Sequence, residues 1–496
     1  MVNTGHPSRA CKLCRVRRVK CDETRPHCLK CKKAKRECPG YRDPFEINLR
    51  DETQSTIRRA KAAAEAQSGT RGARTRRKGT AARHPSSPPV LPGLQTPLDE
   101  QATCFFLSNF VLCPSSVQDS CLFNFVLKIL EWDNLKDTPF PMAFTAVSIA
   151  SLAGRPNSRH LFPRSRIYYS TALVQLQEAI KDKDRAKKDT SLAAAILLSF
   201  YEGLTCDDGD MKGWSNHLDG AKALLRIRGK DVVQNSSPEG LEMFQLVRSM
   251  TYMFGFVANP APGEVEWWGQ HLIRNKSGHI ALMLNMKATL IRAEADALLT
   301  TSGPKTAEKI NKAVDLLGRA REIVVELGRW LADCHETWPK SVSGWAADVD
   351  DDELEKAATF PGPVCTFPDV WVAGKHLNIN ASRIMLSGIM VRCMQWIHAP
   401  ADHTQTADYV ETMRVGCEEV SNVISSVPYF VNWTGDKATI ANFPCGAPTT
   451  PKAYSAVTAL YPLLCTGLSM FATARQKRWL CSRLMFMSET MGIKQA

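Results

Sequence analysis

Residues 11–38 read CKLCRVRRVKCDETRPHCLKCKKAKREC, and this stretch decides the fold of the first part of the chain. It holds six cysteines, because the unit C-x2-C-x6-C occurs twice with six residues between the copies. Each C-x2-C pair places two thiolates on one helical turn, within reach of one tetrahedral zinc ion with Zn–S bonds of roughly 2.3 Å. The repeat therefore predicts a small two-zinc cluster built from two short helix/loop repeats.

The ligand count indicates how six cysteines serve two ions. Two four-coordinate zinc ions need eight bonds, and six sulfurs supply eight only if two of them bridge. The symmetry of the repeat makes its first members, Cys11 and Cys28, the expected bridges. The predicted zinc ligands are Cys11, Cys14, Cys21, Cys28, Cys31 and Cys38.

Positive charge is concentrated near the cluster. Residues 1–85 carry 23 Lys and Arg against 8 Asp and Glu, whereas the rest of the chain carries 40 against 42. The net charge of +13 therefore resides in the N-terminal part of this 496-residue chain. A basic head on a near-neutral body indicates a polyanionic partner at one end, and double-stranded DNA is the expected one.

The head resembles the fungal zinc binuclear cluster (Zn2Cys6) family of transcription factors. Beyond the six spacings, it has the basic run at 15–20, the pair Cys21-Asp22, and Pro26 between the repeats. The resemblance implies a nuclear, sequence-specific regulator of RNA polymerase II genes that reads CGG-type triplets in the major groove, with Arg18 as the best base-reading candidate. Arg and Lys are the residues that most often contact guanine there. The expected DNA-contacting residues are Arg15, Arg17, Arg18, Lys20, Lys30, Lys32 and Lys33.

The cysteine pattern has three other interpretations. A disulfide knot needs an oxidising compartment, but the polar start at residues 1–9 predicts no signal peptide. An iron–sulfur site fits the doubled spacing poorly. The serious alternative is a zinc module that docks a protein partner and touches DNA only non-specifically.

Composition predicts four segments. Residues 1–43 form the DNA-binding head, 44–67 a short helical arm, 68–100 a disordered basic linker rich in Pro, Ser and Gly, and 101–496 the large remainder. The arm has no sustained apolar heptad, so homodimerisation stays open. The linker run Arg74, Arg76, Arg77 and Lys78 is either a nuclear import signal or solvated charge, and the head's run at 32–36 could serve import instead.

The large C-terminal part has helical patterning throughout. Residues 192–204 are apolar on all sides and predict a central helix, and no apolar run is long enough to span a bilayer. Alternating strand patterns are scarce, so we predict an all-α, multi-helix domain without a membrane segment. Further helices are predicted at 120–132, 241–257, 279–299, 307–334, 370–398, 407–425 and 453–475.

Part of this domain resembles the regulatory middle-homology domain of fungal transcription factors. The resemblance is carried by LLSFYE at 197–202, by Trp214 with HLDGA at 217–221, and by LLRIRG at 224–229. It implies regulation of the head through the transcription machinery or co-regulators, with a small-molecule effector left open, and it makes a metabolic or secondary-metabolite gene set plausible. It does not imply catalysis, and the sequence has no Gly-rich phosphate loop, nucleophile elbow or paired-His metal motif.

Two sets of polar residues lie on predicted helices of this domain. His217 lies one turn from Trp214, and we expect it to be a buried, hydrogen-bonded histidine. Asn378, Asn380 and Arg383 lie among apolar residues of one helix. They either line an effector pocket or satisfy one another across helices.

Overall fold

The computed structural model divides the chain into two units, Met1–Gly93 and Leu94–Ala496. The predicted arm, the linker as far as residue 95 and its basic run lie outside the residues that the structure describes. The described residues are 10–24, 26–39, 96–111, 123–206, 212–229, 232–233, 236–254, 263–270, 276–301, 303–334, 336–431 and 452–492.

The first unit contains two five-residue helices, α1 (Lys12–Val16) and α2 (Leu29–Lys33), which pack against each other. Five of the six cysteines are buried, and Leu13 and Cys21 pack partly buried against them. A module this small has too little apolar surface for an ordinary core, so the sulfur cluster occupies the place of one.

The second unit is helical, as predicted, apart from one hairpin. Its described residues form fifteen α-helices, one turn of 3-10 helix at Arg159–Leu161, and two strands. The helices are α3 (Leu98–Phe110), α4 (Asn124–Leu130), α5 (Phe140–Ala153), α6 (Phe162–Lys181), α7 (Lys183–Ala186), α8 (Asp189–Thr205), α9 (Lys212–Arg226), α10 (Pro238–Phe254), α11 (Glu264–Gly269), α12 (Lys276–Thr300), α13 (Ala307–Asp333), α14 (Val370–His398), α15 (Ala407–Phe430), α16 (Ala453–Leu468) and α17 (Ala474–Met491), and the strands are β1 (Ser341–Ala346) and β2 (Gly362–Thr366).

Two central helices organise this unit. Helix α8 packs against α5, α6, α9 and α10, and its residues from Thr190 to Tyr201 are all buried. Helix α14 packs against α12, α13, α15 and α16 in the same way. A helix that is apolar all round is stable only inside a protein, so the apolar run predicted at 192–204 lies at the centre of one half.

The antiparallel pair β1–β2 precedes α14 and departs from the all-α prediction. The more buried strand, β2, has five residues, and Val364 and Cys365 are its two buried residues. Five- and six-residue strands with so few apolar positions give almost no alternating signal, which explains why the sequence pattern does not reveal them.

The predicted helix 453–475 is wrong as a single element. Helix α16 ends at Leu468, and α17 begins at Ala474 after Thr473. The Thr473 side chain accepts from the Gln476 backbone, and the Gln476 side chain accepts from the Thr473 backbone, which is a capping box. At the other end of the domain, α3 begins at Leu98, inside the predicted linker.

Within the part of the chain that the structure describes, none of the helices has the length and apolar character needed to cross a membrane.

Candidate metal centre and nucleic-acid interface

The two C-x2-C helices bring four thiols together from opposite repeats. The Cys11 sulfur lies 3.7 Å from that of Cys28 and 3.9 Å from that of Cys31. The Cys14 sulfur lies at the same two distances from the sulfurs of Cys28 and Cys31. Two sulfurs bound to one tetrahedral ion with bonds of roughly 2.3 Å would be about 3.8 Å apart, so the Cys11–Cys28, Cys11–Cys31 and Cys14–Cys28 distances fit shared zinc ions.

All six sulfurs fall into two groups of four. One group is Cys11, Cys14, Cys21 and Cys28, and in it the sulfurs lie within 4.8 Å of one another. The other is Cys11, Cys28, Cys31 and Cys38, with the same limit. The two members common to both groups are Cys11 and Cys28, the pair that the repeat symmetry nominates as bridges.

Backbone amides and burial set the electrostatics of the sulfurs. The Cys14 amide donates to the Cys11 sulfur at 3.4 Å, and the Cys31 amide donates to the Cys28 sulfur at 3.3 Å. These bonds stabilise negative charge on the two shared sulfurs. Burial nevertheless raises the pKa of Cys11 to about 12 and also raises the pKa of Cys28. Thiolates here need a cation nearby, and a coordinated metal ion supplies that charge.

Asp22 has a structural role that the sequence argument missed. Its carboxylate accepts hydrogen bonds from the Thr24 hydroxyl and from the amides of Leu29 and Lys30, at 3.0 and 3.1 Å respectively. These bonds, the one from Thr24 above all, lower the pKa of Asp22. The carboxylate thus satisfies free amides at the start of α2 and ties the first repeat to the second.

Both helices end with the same turn. Arg18 and Lys35 have φ values of 51° and 50°, the left-handed region. The amide that follows each of them reaches back five residues to a cysteine carbonyl, Cys14 or Cys31, at 3.0 Å in both repeats. This is a Schellman-type end, in which glycine is usual because other residues are strained. Arg18, the best candidate for base reading, therefore lies at a tight turn that recurs in the second repeat at Lys35.

The predicted DNA-contacting side chains are exposed where the structure describes them. Between residues 10 and 39 the sequence has eleven Lys and Arg against three Asp and Glu. The side chain of Arg15 and the run from Arg74 to Lys78 lie outside the described residues. The exposed set is Arg17, Arg18, Lys20, Lys30, Lys32 and Lys33.

The polar residues singled out in the C-terminal domain either bond to other side chains or border a cavity. His217 Nε2 lies 2.9 Å from the Tyr169 hydroxyl, so the histidine is hydrogen-bonded, although it is half-buried rather than fully buried. Arg383 pairs with Glu419 at 2.5 Å, and a reoriented Asn380 amide would donate to the same carboxylate at 3.1 Å. Asn378 instead borders a cavity.

Two family models match the chain. The model of the fungal Zn(2)-Cys(6) binuclear cluster domain matches residues 9–46, and the model of the fungal specific transcription factor domain matches residues 135–254. Both resemblances identified from the sequence are thereby confirmed. The first match identifies the head as a module that binds two zinc ions, and the second match covers α5 to α10.

The chain is also similar to several fungal regulators. The aspercryptin biosynthesis cluster-specific transcription regulator atnN of Emericella nidulans is 54% identical over 37 residues, which are 8% of this chain and 6% of that protein. The transcriptional regulatory protein moc3 of Schizosaccharomyces pombe is 39% identical over 71 residues, 12% of this chain and 14% of that one. The chain thus spans a small part of these two relatives.

The similarity to transcription factor dbaG of Emericella nidulans extends beyond the head. The two proteins are 23% identical over 379 residues, which are 72% of this chain and 81% of dbaG. No solved structure matches the chain.

Proposed function

We propose that this chain, a fungal zinc-cluster transcription regulator and not an enzyme, binds specific DNA sequences through its zinc-dependent head. The observation that carries the proposal is the pair of four-sulfur groups that share Cys11 and Cys28 inside an exposed basic module. The six cysteines would hold the two zinc ions, with these two as bridges. Bound zinc supplies most of the folding energy of such small modules.

The basic side chains would divide into two roles on DNA. Arg18, with Arg17 and Lys20 beside it, would read base edges of a CGG-type triplet in the major groove. Arg15 and the lysines of the second repeat, Lys30, Lys32 and Lys33, would contact phosphates and fix the position of the head. Phosphate contacts add affinity but carry no sequence information.

Replacing Arg18 by glycine should cost about 1–3 kcal/mol against the cognate site and much less against a scrambled one. Glycine suits the left-handed turn at this position better than arginine does, so the loss would come from the side chain and not from the fold. Competition binding with cognate and scrambled duplexes measures the ratio.

Lys35→Gly is the matched control, because Lys35 occupies the same turn in the second repeat. It should leave the ratio of cognate to scrambled affinity unchanged. Lys33→Ala should weaken binding to both duplexes alike and reduce the salt slope by about 1. Equal losses on both duplexes for Arg18→Gly would contradict the assignment of base reading to Arg18.

The larger domain would act as the regulatory part, receiving signals from co-regulators or the transcription machinery. The similarity to a regulator specific to the aspercryptin biosynthesis cluster supports control of a secondary-metabolite or other metabolic gene set. The protein would act in the nucleus on RNA polymerase II genes. The basic run Arg74, Arg76, Arg77 and Lys78 is the proposed import signal.

In-vitro selection on random duplexes with the full-length protein tests the proposal, with a chelator-treated sample in parallel. We expect zinc-dependent enrichment of CGG-containing sites, and the number and spacing of triplets distinguishes a monomer from a homodimer. A folded, zinc-loaded protein that enriches no sequence would overturn the proposal in favour of a zinc module that docks a protein partner.

A further inference from the structure

A cavity of about 140 Å³ lies between the two central helices of the C-terminal unit. Its wall comes from α8, α9, α10, α12, α14 and α16, together with Phe123. Most of the lining is apolar, with aromatic rings from Phe200, Trp214, Trp371 and Tyr454. An apolar protein cavity of similar size can hold one benzene ring, so the space suits a ligand built on a single ring.

Lys375 is the only charged residue among the described residues that line this cavity. Its amine lies over the ring of Trp371, with 5.0 Å between Nζ and the ring centroid. None of the described carboxylates forms an ion pair with it. Lys375 is partly buried beside this cavity, and a lysine in such a position normally has a partner of opposite charge, because an uncompensated charge away from water is costly.

The surroundings add positive charge rather than remove it. Arg248 on α10 is buried and donates from Nη1 to His279 Nδ1 at 2.8 Å. Burial, above all, and the charge of Arg248 together lower the pKa of Lys375 to about 8. The protonated amine at neutral pH is therefore held in an unfavourable environment, which a bound anion would relieve.

Two side-chain oxygens in the same wall lack donors. Oδ1 of Asn378, one turn from Lys375 on α14, is buried and accepts no hydrogen bond from the described residues, while its Nδ2 donates to the Gly374 carbonyl at 2.8 Å. Oδ1 of Asn285 on α12 is likewise buried without a donor. Buried acceptors usually receive a hydrogen bond, so a hydroxyl or amine of a ligand could donate to these two oxygens.

We propose that this cavity binds a small hydroxylated organic acid of about one ring, whose carboxylate pairs with Lys375 and whose hydroxyl donates to Asn378 or Asn285. The apolar walls would cover the ring, and the polar groups would fix its orientation, as is usual in small-molecule sites. This inference concerns the regulatory unit and is independent of how the head binds DNA.

Calorimetric titration of the full-length protein with 4-hydroxybenzoate and with its neutral amide, 4-hydroxybenzamide, tests the proposal at physiological salt. We expect the acid to bind at least tenfold more tightly than the amide. Lys375→Met should reduce the affinity for the acid to that for the amide, because methionine keeps the length of the chain and removes the charge. The exposed Lys287 of α12 provides the control, and Lys287→Met should bind the acid like the wild type.

Three outcomes would overturn the proposal: no binding of the acid, equal binding of acid and amide, or full retention of acid binding in Lys375→Met. If that variant failed to fold, the comparison of acid and amide on the wild-type protein would still decide. DNA binding does not enter the readout, so failure here would leave the proposed function standing.

Discussion

Substitution of Cys28 by serine is expected to remove both zinc ions and to abolish DNA binding. Cys28 belongs to both four-sulfur groups, so its loss leaves neither complete. Structural zinc contributes about 10–16 kcal/mol of apparent binding free energy in small modules, which exceeds what the apolar surface of so short a head can supply. Native mass spectrometry of the full chain should therefore show a fall from two zinc ions to none.

Two matched substitutions test the sharing of ligands. Cys21 belongs to only one group, so Cys21→Ser should leave the other four sulfurs intact and retain one zinc ion. Cys104 lies exposed in the C-terminal unit, and Cys104→Ser should retain both ions. Identical zinc loss in Cys21→Ser and Cys28→Ser would contradict the bridging assignment.

Replacing Arg383 by methionine should destabilise the C-terminal unit by about 3–5 kcal/mol, because it leaves a buried carboxylate without its cation. Glu419 is 2% exposed, and it joins α15 to α14 through this pair. Burial raises the pKa of Glu419, and Arg383 opposes that shift. Without Arg383 the carboxyl can take up a proton, so the destabilisation should be smaller at about pH 5 than at about pH 8.

An exposed pair on the same helix is the control. Arg414 contacts both Glu411 and Glu418 at the surface of α15. Exposed pairs contribute at most about 1 kcal/mol, so Arg414→Met should shift the urea midpoint far less. Similar shifts for the two variants would show that the buried pair does not hold α14 against α15.

The clustering of the six cysteines could be predicted from the sequence, because metal coordination fixes their spacing. Bond counting requires two shared sulfurs, and the symmetry of the repeat nominates Cys11 and Cys28 as that pair. Spacing carries no information about Asp22, whose role depends on where the loop between the repeats returns to α2. Nor does it reveal the left-handed turns, since Arg18 and Lys35 occupy positions where glycine would be the usual signal.

Helices of the larger unit were predictable to the extent that their apolar faces are periodic. The predicted and observed bounds of α14 coincide, whereas the boundary between α16 and α17 depends on a cap at Thr473 that periodicity does not report. The cavity could not be predicted from the sequence for a different reason. The Tyr252 hydroxyl of α10 donates to the backbone carbonyl of Asn378 at 3.3 Å, across 126 residues of sequence. No local sequence pattern predicts such a contact.

The shared thiolates also have a consequence for zinc supply. Each group of four keeps a complete set of sulfurs when the ion of the other group leaves, because the two shared sulfurs remain with it. The second ion to bind would share two thiolates that already hold the first ion, so it should bind more weakly, and heads with one zinc ion should be populated at intermediate free zinc. A regulator built in this way would lose its two ions in separate steps as cellular zinc declines.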